Sequence, residues 1–305
     1  MNDQIRQIAI IGPTASGKSG LAVKIAKSYS AIILSLDSLS IYKEIDIASA
    51  KPTKQDRDGI SHYGIDVIYP DESFDVTMFS KLYLQAYAKA ESQRKNLIIV
   101  GGTGFYLKSL MDGISTLPLL SRSQKDRVDT MMANPPKAYE MLLTLDPLYM
   151  RNIASSDRYR IEKALSILFA TEQIPSQYFG AHPPIPTIAG QLPIYRIVTD
   201  RGVLRSRIAA RTKQMIKMGL IDEISYLEQK YSRKPNCMKA IGVKETLDFL
   251  DGRYDRAGLE EKIITNTARL AKRQTTFNRS QFKSHISLEI ETLEKKIIED
   301  IEKRP

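Results

Sequence analysis

The most specific chemistry in this 305-residue chain lies in eight consecutive residues, Gly12-Pro13-Thr14-Ala15-Ser16-Gly17-Lys18-Ser19. They follow a β-branched apolar run at 7–11 and precede a helical pattern, the context a phosphate-binding loop requires. Gly12 and Gly17 let the backbone turn tightly, so that successive N–H groups point inward at phosphate oxygens. The helix beginning there adds the positive end of its dipole. Lys18 supplies a point charge to the outer phosphate, and the Ser19 hydroxyl is a ligand for Mg2+. The loop leaves open what lies beyond the phosphates, since ATP, GTP and isoprenyl diphosphates satisfy it equally.

Three further groups could act with it. Asp37 ends the next apolar run, in Ser35-Leu36-Asp37-Ser38, and so belongs at the same sheet edge. It could cap a turn, hold Mg2+ through water, or serve as a general base facing the loop. Thr103, after the Gly101-Gly102 pair, suits a turn or a cleft wall. Arg207 and Arg211 are four apart, which fits a solvated helical stripe or two cations for a leaving group.

Positioning these groups requires a sheet. Apolar runs at 7–11, 31–36 and 96–100 read as strands, and 19–28 and 74–95 as the helices between them. Such alternation implies a parallel sheet covered on both faces, with ligands at the carboxyl ends of its strands. From about 114 the pattern turns helical, at 123–132, 136–143 and 157–169, before a proline-rich stretch at 183–193 and a strand at 194–198. Helices follow at 204–218, 220–229, 244–250 and 259–282. The expected fold class is α/β: a P-loop NTPase-like parallel sheet flanked by helices, built from 1–113 and 196–305, with a helical insertion domain at 114–195.

Composition narrows the function classes. Hydrophobic residues make up 42% and charged residues 26%, a globular balance. A single cysteine, Cys237, allows no internal disulfide, and His62, His182 and His285 lack metal-ligand spacing. The short apolar run at the start suits neither a signal peptide nor a membrane span, so a cytoplasmic protein with no membrane attachment is expected, as a monomer. Net charge is +10. Residues 201–285 hold roughly 19 Lys+Arg against 9 Asp+Glu, whereas 1–200 hold about 22 against 20. One surface facing a polyanion, or a solvated basic face, explains that concentration.

Taken in order, Asp37-Ser38 through Lys51-Pro52, Val100-Gly101-Gly102-Thr103-Gly104-Phe105-Tyr106, Lys239-Ala240-Ile241-Gly242 and Ala271-Lys272-Arg273-Gln274-Thr275 are similar to the tRNA dimethylallyltransferase family. With the phosphate loop, this resemblance spans from near residue 8 to near 280. It implies transfer of a dimethylallyl group from dimethylallyl diphosphate to N6 of the adenosine 3′-adjacent to the anticodon, with Mg2+ as cofactor. The loop would then hold a leaving diphosphate, helped by Arg207 and Arg211, with Lys18 and Thr103 beside the reaction. Asp37 takes the position of the general base. The amine of adenine is a poor nucleophile that must lose a proton as the new bond forms, and the base must be extruded to be reached.

The resemblance also implies RNA contacts. Asp37, Ser38, Leu39, Ser40 and Thr103 would line the base, while Lys125 and Tyr159-Arg160-Ile161-Glu162-Lys163 in the insertion would meet the anticodon stem. Lys239-Ala240-Ile241-Gly242-Val243-Lys244 and Lys272-Arg273-Gln274-Thr275-Thr276-Phe277-Asn278-Arg279 would hold the rest. In the last segment Arg269, Lys272, Arg273, Thr276 and Arg279 share a helical stripe, with Phe277 as a stacking surface or a core residue. Ala48, Ser40 and Val243 depart from the family's usual glycine, glutamine and tyrosine. Two rival readings remain: a P-loop kinase of a small metabolite or nucleoside, and a nucleotide-switched RNA-binding module. Neither gives both the basic segment and Asp37 a task.

Overall fold

The computed structural model describes residues 5–303. The first apolar run, β1 (Gln7–Ile11), lies inside a six-stranded parallel sheet with β2 (Ala31–Leu36), β3 (His62–Tyr63), β4 (Asn96–Gly101), β5 (Ile194–Ile197) and β6 (Ile286–Leu288). The strand order is β3-β2-β4-β1-β5-β6, and β1 pairs with β4 and β5. Alternate side chains enter two separate cores: Ala9 and Ile11 on one face, Ile8 and Ile10 on the other. That double burial is why the strands read as continuous apolar runs.

Helices α1 (Lys18–Ser28) and α13 (Ile290–Lys303) cover the Ile8 face, and α2 (Val76–Ser92) packs on the Ala9 face. After α3 (Gly104–Asp112), that second core extends into α9 (Arg201–Lys217), α10 (Leu220–Tyr231), α11 (Val243–Leu250) and α12 (Arg256–Gln281). The carboxyl ends of β1, β2 and β4 carry the phosphate loop, Asp37 and Thr103 respectively.

Residues Asp112–Thr187 form a second compact unit, of helices α4 (Arg122–Met132), α5 (Pro135–Leu145), α6 (Pro147–Met150), α7 (Arg158–Thr171) and α8 (Pro175–Ala181). Its helix starts are written in the sequence. Ser121 and Gln124 form a reciprocal capping box, and Asn134 caps α5 ahead of two prolines. Buried Asp146 accepts from Tyr149 N at 3.0 Å and from Ser176 N at 2.7 Å, fixing α6 to the start of α8. Val128, Leu142, Met150, Ile161 and Leu165 fill the unit's own core.

The boundaries differ from the expected 114–195. Ile188 and Leu192, within the proline-rich stretch, are buried in the core of the sheet unit, and β5 already begins at Ile194. Residues 286–303, assigned to the sheet unit from the sequence without a named element, add an edge strand and a covering helix. Leu293 and Ile297 of α13 are fully buried, and α13 is tied to α1 by Lys24–Glu294 at 2.5 Å. Ile297→Ala should therefore lower the unfolding free energy by about 2–5 kcal/mol in urea denaturation. A loss below about 1 kcal/mol would make α13 a surface appendage rather than part of the core.

Candidate active site

The phosphate loop is shaped by its second glycine. Gly17 has φ +88° and caps α1 without a side-chain hydrogen bond, so the first amides of that helix stay open toward the loop. Ser16 Oγ is buried with no hydrogen-bond partner among the described residues, a donor aimed at no protein acceptor. Lys18 folds over the loop, its Nζ donating to the Pro13 carbonyl at 3.2 Å. Burial pushes the Lys18 ammonium down to about 8, against the pull of Asp37, while Arg211 adds to the depression.

Asp37 leaves β2 and turns at once. Its Oδ1 accepts from Leu39 N at 2.8 Å and Ser40 N at 3.0 Å, while Oδ2 makes no hydrogen bond within the described residues. The turn-capping and the chemical readings of this residue thus coexist, one on each oxygen. The neighbouring strand ends are equally close. A side chain at Gly101 would put its Cβ 2.3 Å from the Leu36 carbonyl oxygen, and Thr103 N donates to that oxygen at 3.0 Å.

Two helices complete the enclosure. Arg211 on α9 donates from Nη1 to Thr14 Oγ1 at 3.3 Å and from Nη2 to the Ala50 carbonyl at 2.9 Å. Burial lowers its pKa, and Asp37 opposes that shift. Gln274 on α12 accepts from Thr14 N at 2.8 Å through Oε1. Two cavities meet here, of about 320 Å³ and 80 Å³, and both are walled by Thr14, Lys18, Asp37, Ser49, Ala50 and Arg211. Thr103, Gln274 and the 239–242 segment line only the larger, whereas Ser19, His62 and Ile33 line only the smaller. The arrangement offers cations and amides to a diphosphate, with an acceptor oxygen between two chambers.

Several expected residues lie elsewhere. Arg207 is exposed and lines neither cavity: it shares a face of α9 with Arg211 but lies one turn nearer the helix start, away from Thr14 and Ala50. Gln274 holds the phosphate loop at Thr14 N and lines the larger cavity. Ile161, Val243 and Asn278 are buried, at 0%, 0% and 1% exposure, and pack inside the protein. Phe277 is half-buried, edge-on to Phe282 at 6.4 Å, which resolves its two readings toward core. Thr275 returns its hydroxyl to the Ala271 carbonyl, and Ser40 is buried beside Asp37. Lys244 is exposed and paired with Asp248. Lys125, Tyr159, Arg160, Lys239, Lys272, Arg273, Thr276 and Arg279 are exposed, while Glu162 and Lys163 are half-buried, with Lys163 over the Tyr159 ring at 5.4 Å. Ala48 needs no glycine, since it is not among the residues with positive φ.

Three contributors receive no role at the site from the sequence, although Lys51 lies in a segment that carries the family resemblance. Buried Lys51 binds Asp46 and Asp66 at 2.6 and 2.5 Å. His62, on a two-residue strand, faces the smaller cavity, and burial lowers its pKa. Glu223, near the start of α10, accepts from three successive backbone N–H groups, at Asp46, Ile47 and Ala48.

Known proteins similar to this chain align along nearly its whole length. The IPP transferase family model matches residues 40–281, beginning just after the phosphate loop and Asp37. The chain is 59% identical to a tRNA dimethylallyltransferase of Sulfurovum sp. (strain NBC37-1), over 98% of this chain and 99% of that one. Among solved structures, a tRNA isopentenylpyrophosphate transferase of Bacillus halodurans superposes with TM-score 0.70 at 27% identity, covering 98% of this chain and 96% of that chain. A eukaryotic dimethylallyltransferase acting on tRNA reaches TM-score 0.82 at 25% identity, covering 93% of this chain and 74% of that chain. Among the described residues no helix is long and apolar enough to cross a membrane. With the family model spanning most of its length and near-complete alignment to such a relative, the chain belongs to the IPP transferase family.

Proposed function

We propose that this protein transfers a dimethylallyl group from dimethylallyl diphosphate to N6 of the adenosine 3′-adjacent to a tRNA anticodon. The observation that carries this reading is Asp37, one oxygen tied to backbone amides and the other unbonded, between two cavities that share the phosphate-loop wall. The names of the relatives support the substrate pair. N6 attacks C1 of the donor, the C1–O bond breaks, and its electron pair leaves with the diphosphate. The C–N bond forms as the N6 proton passes to Asp37 Oδ2.

Lys18, Arg211 and the α1 amides stabilise the charge growing on the leaving group. Ile33, Ile65 and Val100 give the smaller cavity an apolar wall for a short branched hydrocarbon. The larger, lined by Thr103, Lys239 and Ile241, takes the extruded base. Exposed Lys272, Arg273 and Arg279, and in the helical unit Lys125, Tyr159 and Arg160, supply contacts to the RNA backbone.

The residues present suit Mg2+. Ser19 opens into the smaller cavity beside Asp37, and Mg2+ binds through few protein ligands together with phosphate oxygens and water. Among the described residues no group of three His, Cys, Asp or Glu side chains is placed to hold a metal, so Ser19 would hold the ion jointly with the diphosphate. When bound, Mg2+ neutralises part of the diphosphate charge.

Labelled dimethylallyl diphosphate should mark unmodified tRNA, and labelled ATP should not; label arriving from ATP instead would favour a kinase. Asp37→Asn is expected to cut kcat by about 10²–10⁴-fold while the protein still retains tRNA on a filter. Wild-type turnover by that variant would remove Asp37 as the base. Donor affinity should also depend on pH. Free Lys18 loses its proton above about 8, and a bound diphosphate favours the charged form. Its contribution to Kd is therefore flat below that pH and weakens binding above it, approaching about tenfold per pH unit. A Kd constant from pH 7 to 10 would show that Lys18 does not face the donor.

A further inference from the structure

After the strand bridge between Tyr42 and Ile68, residues 43–50 run as a strap whose last residues, Ser49 and Ala50, wall both cavities. The strap closes its own last turn, Ala50 N donating to the Ile47 carbonyl at 2.9 Å and Ser49 Oγ to the Ile45 carbonyl at 2.5 Å, and has non-glycine residues in the left-handed region near both ends, Glu44 at φ 64° and Ala50 at φ 47°. Such backbone conformations persist when surrounding contacts hold them.

The neighbours are two consecutive helices joined at Gly219. Glu44 is bound by Lys230 at 2.8 Å and Tyr231 at 2.9 Å, both from α10. Glu223, also from α10, gathers the amides of Asp46 at 2.9 Å, Ile47 at 2.7 Å and Ala48 at 2.9 Å with one carboxylate. Ala50 then accepts from Arg211 of α9 at 2.9 Å, and the other arm of the same guanidinium reaches Thr14 of the phosphate loop. The carboxylate is half-buried and touches neither cavity. Its three hydrogen bonds are the charged, directional end of a relay that finishes on the arginine above the diphosphate site.

We propose that Glu223 is a positioning residue for diphosphate binding: by gripping the 46–48 backbone it fixes the Ala50 carbonyl and so orients the Arg211 guanidinium over the phosphate loop. The role rests on the diphosphate-transfer reading above, but it can be measured without the transfer reaction. A general structural role would lower stability and leave the energetics of Arg211 alone; a positioning role makes the two residues act as one.

The test is a double-mutant cycle read by calorimetric titration of folded protein with inorganic diphosphate. Glu223→Gln keeps the side-chain shape but turns an NH2 donor toward amides that need an acceptor. Kd should rise about tenfold in Glu223→Gln and at least as far in Arg211→Ala. In the double variant it should rise no more than about twofold beyond Arg211→Ala alone. Independent, multiplicative losses would overturn the proposal, as would an unchanged Kd in Glu223→Gln. If Glu223→Gln does not fold, Glu223→Asp, with the charge kept and one methylene removed, enters the same cycle and is judged by the same coupling. If the wild type fails to prenylate tRNA while the coupling is present, the functional reading falls and the positioning role stands.

Discussion

An ammonium group buried in a cup of backbone amides, with too little negative charge around it, is the condition around which this site is arranged. Lys18 is deprived of solvent, Arg211 is close enough to disfavour its charge further, and the opening amides of α1 add positive potential. Asp37 is the carboxylate that opposes them, and one of its oxygens is already occupied by two amides. A buried excess of positive charge is costly without a counterion, and a diphosphate is the anion whose size and charge relieve it.

Holding that arrangement together explains much of the remaining fold. The parallel sheet brings three strand ends to one edge, and β2 and β4 approach so closely there that position 101 tolerates no side chain. Helix α12 sends Gln274 to the Thr14 amide, while α9 sends Arg211 to the Thr14 hydroxyl, so one residue of the loop is fixed from two sides. The same six residues bound both cavities, so the phosphate loop, Asp37 and Arg211 share one wall. An enzyme that makes a C–N bond without covalent help must work by such positioning and by stabilising charge.

The core strands and the phosphate loop were legible in the sequence because their signals are local. β-branched runs, a Gly-x-x-x-x-Gly-Lys-Ser spacing and helix caps at Ser121, Asn134 and Asp157 each state their structure within a few residues. What depends on distant partners was not legible. The strand at His62–Tyr63 is two residues long and exists because β2 offers it a ladder. Helix α13 is the exception: Ile290, Leu293, Ile297, Ile298 and Ile301 recur at helical spacing and pack on the core, a local signal that the charged residues between them obscure. Arg207 and Arg211 look equivalent at a spacing of four, and the position along α9 at which Thr14 and Ala50 meet the helix decides which one enters the site. Gln274 and Asn278 sit in a stripe of basic residues, yet both turn inward. Glu223 could not be found at all, because three consecutive amides 175 to 177 residues away define its task.

The most direct test of the buried-cation account is the protonation of Lys18 itself. With lysine labelled by 15N at the side-chain nitrogen, NMR titration of the folded protein should place the Lys18 midpoint near 8, against an ordinary 10.5. Adding inorganic diphosphate should carry that midpoint upward, because the anion restores the missing charge. A midpoint at the ordinary lysine value in the free protein, or one that diphosphate leaves unmoved, would contradict the account.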